Sequence, residues 1–85
     1  MTKNVIAIPP GYTIEEQLNE NQLTQKEFAK LMELTENSVN ALISGQMLLS
    51  TDIATKLEKV LGMPAQFWLN LEAIYREKIE RINEI

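Results

Sequence analysis

Residues 23–45 read "LTQKEFAKLMELTENSVNALISG", and the spacing within this stretch decides the fold. Thr24 followed by Glu27 matches a capping box, in which the hydroxyl and the carboxylate satisfy backbone N–H groups at a helix start. Thr35 is a candidate N-cap for a second helix, and Gly45 stands where a helix end needs a left-handed residue. Phe28, Ala29 and Met32, then Val39, Leu42 and Ile43, recur at the three- and four-residue spacing of an apolar helix face. The spacing predicts two short helices joined by a tight turn, over 24–32 and 35–44. Ala29 falls where the two would cross, and Leu34, Val39 and Leu42 pin the second across the first. Proteins use such a layout to set a helix into the major groove of DNA. Against it, Leu31 to Thr55 contains neither Lys nor Arg.

Outward from that pair the same punctuation continues. Thr13 with Glu16 matches a second capping box, Ser50 is another N-cap, Gly62 a second helix stop, and Pro64 suits a first helical turn. Helices are therefore expected at 13–21, 50–61 and 64–84 as well. Ile14 and Leu18, and Ile53, Leu57, Val60 and Leu61, supply the matching core faces. No segment alternates with period two strongly enough to require a strand, so the expected class is all-α. Residues 1–12, which include "NVIAIPPGY" up to Tyr12, read as an extended lead-in that ends at Pro9-Pro10-Gly11. Residues 13–85 read as one domain, near the lower size limit for a single core.

Composition removes whole classes of function. The chain has no Cys and no His, which excludes disulfides, thiolate metal sites and the usual general base. Neither a metal nor a cofactor is expected. Twelve Asp and Glu against eight Lys and Arg give a net charge of -4. Most carboxylates fall on outer helix faces beside basic partners, as in Glu72 with Arg76 and Glu77 with Arg81, which reads as solvated helix surface. No catalytic triad or phosphate loop is present, so an enzyme is not expected. The apolar run in the first eight residues is too short for a signal peptide, and no run approaches the roughly 18 apolar residues of a membrane span. The expectation is a soluble cytoplasmic protein with no membrane partner.

Spacing alone leaves open a plain five-helix bundle with no role on DNA. The residues themselves go further. Ala29, Leu34, Val39, Leu42, the Thr24-Gln25 opening and Gly45 together resemble the helix-turn-helix of the Xre, or lambda-repressor-like, family. "LEKVLGMPAQFWLNLEAIYREK", residues 57–78, is similar to the segment found in HigA-type antitoxins, the plasmid-maintenance antidote proteins. The likeness runs from about Pro9 to Tyr75, with "QFWLNL" its most distinctive part. It implies a five-helix lambda-repressor-like domain with an extended C-terminal helix. Such a domain dimerises, represses its own operon and, in many members, silences a small toxin. The same module also resembles the N-terminal domain of longer proteins that continue into a zinc peptidase-like domain.

Carried over by position, the resemblance offers Glu36, Asn37, Ser38, Asn40 and Ala41 to base edges. Gln25 and Ser44 match phosphate-contacting positions, and Lys26 with Lys30, one turn apart, reach toward the backbone. Lys3 is a further candidate. Where members usually carry basic residues, this chain has Glu36, Ala41, Gln46 and Met47, and at Glu33, where Gly is common, the turn tends to need positive φ. Base reading does not require cations, since Asn pairs with adenine, Glu accepts from cytosine N4 and Ala packs on the thymine methyl. Two functions therefore stay open: an operator-binding autorepressor on double-stranded DNA, and a protein-binding module that keeps the architecture and docks a toxin or a following domain. On the last helix, Phe67, Trp68 and Leu71 are expected to divide between the core and its edge, and beyond them Tyr75, Ile79, Ile82 and Ile85 form an apolar stripe, aided by Trp68 as a partner surface. It is expected to pair with a two-fold mate and set two reading helices about 34 Å apart.

Overall fold

In the computed structural model, which describes residues 7–83, five helices follow one another: α1 (Pro10–Glu20), α2 (Gln25–Met32), α3 (Glu36–Ser44), α4 (Thr51–Leu61) and α5 (Ala65–Asn83). The expected all-α class and the expected five helices are what is found, and no strand occurs among the described residues. The expectations for Lys3 and Ile85, and for the helix to reach residue 84, lie outside the described residues.

Most helix ends form by the local chemistry read from the sequence. Thr24 and Glu27 make the full capping box, with the Glu27 amide donating to Thr24 Oγ1 at 3.0 Å and the Thr24 amide donating to Glu27 Oε1 at 2.9 Å. These bonds stabilise the charged carboxylate, first through the Thr24 amide, then through its hydroxyl, with Lys30 adding a smaller attraction. The Glu27 pKa is lowered, so what the box contributes to stability is present at neutral pH. It is lost as acid protonates the carboxylate below its usual range. Thr35 Oγ1 accepts from the Ser38 amide at 3.0 Å, and Ser50 Oγ accepts from the Ile53 amide at 3.3 Å.

Two ends differ from the reading. α1 starts at Pro10, not at Thr13, with Pro9 in the N-cap position and no side-chain cap. Proline is preorganised for the first helical position. It moves the start three residues earlier, so Thr13 and Glu16 lie inside the helix and form no capping box. Past the end of α1 at Glu20, Gln22 is left-handed at φ 57°, and the Leu23 amide donates to the Leu18 carbonyl at 2.8 Å. At its other end the chain enters α5 under a long-range cap: Glu58 Oε1, from α4, accepts from the Ala65 amide at 2.9 Å.

Glu33 takes the left-handed conformation that its place in the turn demands, at φ 59° and ψ 41°. A Cβ in that region costs on the order of 1 kcal/mol. Glu33→Gly is therefore expected to raise stability by about 1 kcal/mol, read as a higher urea midpoint at unchanged slope.

Ile14, Leu18, Phe28, Ala29, Met32, Val39, Leu42, Ile53 and Leu57 form the core, joined by Leu49, Ala54 and Trp68. Ile43, Leu34, Val60 and Leu61 pack half-buried around it. The placement of Trp68 is a correction. Expected at a dimer interface, it is fully buried within its own chain, the largest side chain of the core. An amphipathic helix with a tryptophan at the centre of its apolar face turns that ring to the nearest core, which here is the chain's own. Tyr75 is likewise buried, at 9% exposure, against Pro9 and Gly45 rather than open to a partner. Past Tyr75 the helix leaves the core. Ile79 is half-buried, and Ile74 and Ile82 are exposed.

Candidate nucleic-acid interface

α3 is gripped at its C-terminal end and open along its outer side. Gly11, in the first turn of α1, lies so close to α3 that a Cβ there would fall on the backbone of Ile43. Gly45 ends α3 at φ 84°, and a Cβ on it would stand 2.7 Å from the Tyr75 hydroxyl and 3.0 Å from Pro9. The end is closed by its own carbonyl too, because the Ala41 oxygen accepts from the amides of Gln46, at 2.9 Å, and Met47, at 3.1 Å.

This grip leaves one face of α3 outward. Asn37, Asn40, Ala41 and Ser44 share it by helical spacing, and Asn37, Asn40 and Ser44 are exposed while Ala41 is half-buried. Glu36 and Ser38 flank the stripe on opposite sides. Glu36 is exposed in the first helical turn. Ser38 is half-buried, and its Oγ accepts from the Thr35 hydroxyl at 3.0 Å, which ties it to the cap. Ser44 Oγ donates to the Ala41 carbonyl at 3.2 Å, leaving its lone pairs outward. The two asparagine amides make no hydrogen bond to other described residues and are free to pair with a base edge.

At the start of α2, Gln25 is half-buried and Lys26 exposed. The first turn of a helix carries amides without intrahelical partners, and these form a ready anion site. Of them the Glu27 amide is bound by Thr24, so those of Gln25 and Lys26 remain. The Glu27 carboxylate sits on the same turn and carries its charge firmly, its pKa lowered by Thr24. Lys30 stands one turn on and is exposed. Between them, α2's first turn and α3's outer face carry Lys26 and Lys30 against Glu27 and Glu36, a balance of formal charge.

One pair read as solvated surface proves to be part of this region. Glu72 and Arg76 form an ion pair at 2.8 Å with the carboxylate side chain only 13% exposed. Sequence spacing marks the pair but not what it holds, since its other partners lie more than twenty residues away on the segment after α3. Glu77 and Arg81 fit the original reading, exposed and 3.9 Å apart. No described helix is long and apolar enough to cross a membrane, and no cluster of three potential metal-ligating residues occurs among the described ones.

Comparison with known proteins agrees with this geometry. The helix-turn-helix family model HTH_3 matches residues 14–68, from the first core residue of α1 to Trp68. The HTH-type transcriptional regulator YddM of Escherichia coli is 38% identical over 63 residues, covering 74% of this chain and 67% of YddM. The antitoxin HigA of Pseudomonas aeruginosa, solved with the higBA promoter, superposes with a TM-score of 0.84 at 26% identity, over 92% of this chain and 86% of that one. A HigA-family addiction-module antidote protein from Coxiella burnetii gives a TM-score of 0.77 at 31% identity, over 86% of this chain and 80% of the other. A matched helix-turn-helix spanning most of the chain, on a fold shared with antidote proteins, places this protein in the Xre-type helix-turn-helix family, among its HigA-like members.

Proposed function

We propose that the chain is a sequence-specific DNA-binding regulator, an antitoxin-like autorepressor that acts by binding and not by catalysis, in the cytoplasm where its operator lies. The observation that carries this reading is the outer face of α3, where two free carboxamides, Asn37 and Asn40, project from a helix gripped at its end. Asparagine reads adenine through paired bonds to N6 and N7, Ala41 suits the thymine methyl, and Glu36 accepts from cytosine N4. Ser38, half-buried and tied to the cap, holds the frame for its neighbours. Gln25, Lys26 and Ser44 face the phosphates, with the amides of α2's first turn supplying positive potential that no basic side chain of α3 provides. The family membership and the HigA protein solved with its promoter support the reading.

Dimerisation belongs to the same proposal. Ile79 and Ile82 extend the face of α5 beyond the core, and Ile74 adds a second exposed isoleucine beside them. With Trp68 and Tyr75 inside the chain, it is this outer half of α5 that would meet a two-fold mate. Residues 13–85 would then act as one unit that carries the reading helix and its dimer contact. A cognate toxin is the further partner that the antidote-type relatives suggest.

Asn37→Ala and Asn40→Ala are each expected to weaken binding to the preferred duplex by about 1–3 kcal/mol while leaving a scrambled duplex nearly unaffected. Fluorescence anisotropy on the two duplexes reads this directly. Equal losses on both would mean that neither residue reads bases. No preference by the unsubstituted chain would favour the protein-binding alternative, to which the lack of basic residues between Leu31 and Thr55 already lends weight.

A further inference from the structure

The segment from Gly45 to Leu49 joins α3 to α4 without helix or strand, and α5 binds three of its backbone groups. Arg76 Nη2 donates to the carbonyls of Gly45 and Met47, each at 3.2 Å, while its Nε donates to Glu72 Oε2 at 2.8 Å. The same Glu72 oxygen accepts from the Leu49 amide at 3.2 Å. Arg76 also lies over the Tyr75 ring, 4.9 Å from its centroid, and Tyr75 is the side chain packed on Gly45. Both ends of the segment are thus held from one helical turn of α5, and Leu48, between the held Met47 and Leu49, is left 67% exposed.

From this arrangement we infer that Arg76 is a positioning residue for DNA recognition. It fixes the path of the chain as it leaves the reading helix, and so sets the height of Ser44, Gln46 and Leu48 against the duplex without touching DNA. The inference rests on the operator-binding reading above. A guanidinium suits the task because its planar fork directs several N–H groups along fixed, diverging lines, whereas the ammonium of lysine is a point charge on a flexible stem. Its Nε and Nη2 donors are committed to a carboxylate and two backbone carbonyls, and Glu72 offsets its charge, which assigns it to holding the loop and not to a phosphate. The consequence is specific: loosening the loop should harm the contacts that require register, and spare the general attraction to the backbone.

The test compares the full chain with Arg76→Met on two probes, a duplex enriched by the unsubstituted chain from a random-sequence pool and a scrambled duplex of the same composition. Losing roughly one base contact's worth of alignment, Arg76→Met should bind the enriched duplex about tenfold more weakly and the scrambled one within about twofold of the original. The slope of log affinity against log salt should not change. Equal losses on both duplexes with the slope made shallower by about one would show Arg76 to be a phosphate contact, and would overturn the inference. Undiminished preference for the enriched duplex would overturn it as well, while leaving the operator reading intact. If the unsubstituted chain enriches no sequence, the operator reading falls and the role of Arg76 falls with it. Should Arg76→Met fail to fold, Arg76→Lys is judged by the same criteria, with loss of preference supporting the inference and its retention refuting it.

Discussion

Gly11→Ala is expected to destabilise the chain by about 2–3 kcal/mol, although alanine is the better helix former by about 1 kcal/mol. Gly11 lies inside α1, where propensity alone would favour the substitution. The sign is decided by space. The new methyl would fall on the Cα, carbonyl carbon and carbonyl oxygen of Ile43, which are main-chain atoms of α3 and cannot swing aside as a flexible side chain would. Either α1 lifts off the end of α3 or α3 shifts, and in a close-packed interior such overpacking outweighs the propensity gain. For a domain of this size the thermal midpoint should fall by roughly 10–20 °C. Because either movement loosens the grip on the proposed reading helix, binding to the preferred duplex should weaken too, even at temperatures where the variant remains folded. A melting point within a few degrees of the original would show that the α1–α3 approach is not tight.

Trp68→Ala should cost more, about 3–5 kcal/mol, by removing the largest side chain of the core and leaving a cavity. One term opposes this. The indole Nε1 is buried with no hydrogen-bond partner among the described residues, and an unpaired buried donor itself costs about 1–3 kcal/mol, which the substitution relieves. Burial and cavity terms together exceed that relief for alanine. Phenylalanine keeps most of the apolar volume while removing the same orphaned N–H, so Trp68→Phe should be far milder than Trp68→Ala in the same urea titration. Against a total stability of roughly 4–13 kcal/mol for a chain of this length that is a large fraction, and at the lower end of the range the alanine variant would be unfolded. Equal losses for the two variants would mean that the ring edge and the N–H, and not the volume, hold this part of the core.

What could be read from the sequence was what short-range chemistry decides. The caps at Thr24, Thr35 and Ser50, the left-handed ends at Gly45 and Gly62, and the left-handed Glu33 each depend on residues within one helical turn, and all stand where the spacing put them. Errors arose where a distant contact or a stronger neighbour overrides the local pattern. Thr13 and Glu16 have the spacing of a capping box, but Pro10 starts the helix before them. The "PPG" run reads as the end of an extended lead-in, whereas Pro10 and Gly11 belong to α1, and Gly11 is small because α3 passes against it. Trp68 could be placed on an apolar face but not assigned to its own core or to a partner, since periodicity does not say what a face meets. Within the candidate site, the outer residues of α3 follow from the resemblance, position by position, and of these Ser38 and Ala41 are half-buried. The hold of Glu72 and Arg76 on the segment after α3 was not legible, because an i, i+4 pair looks the same whether it faces water or a loop.

The central claim is that a reading helix without a single cation recognises DNA through amides and helix ends. It is tested most directly by the affinity of the unsubstituted chain for its enriched duplex and for a scrambled one across a range of salt concentrations. The expected result is a preference of at least about tenfold for the enriched duplex at low salt, and a slope of log affinity against log salt no steeper than about -6 per dimer, because few side chains neutralise phosphates. Equal affinity for the two duplexes at low salt, or a steeper slope, would contradict it.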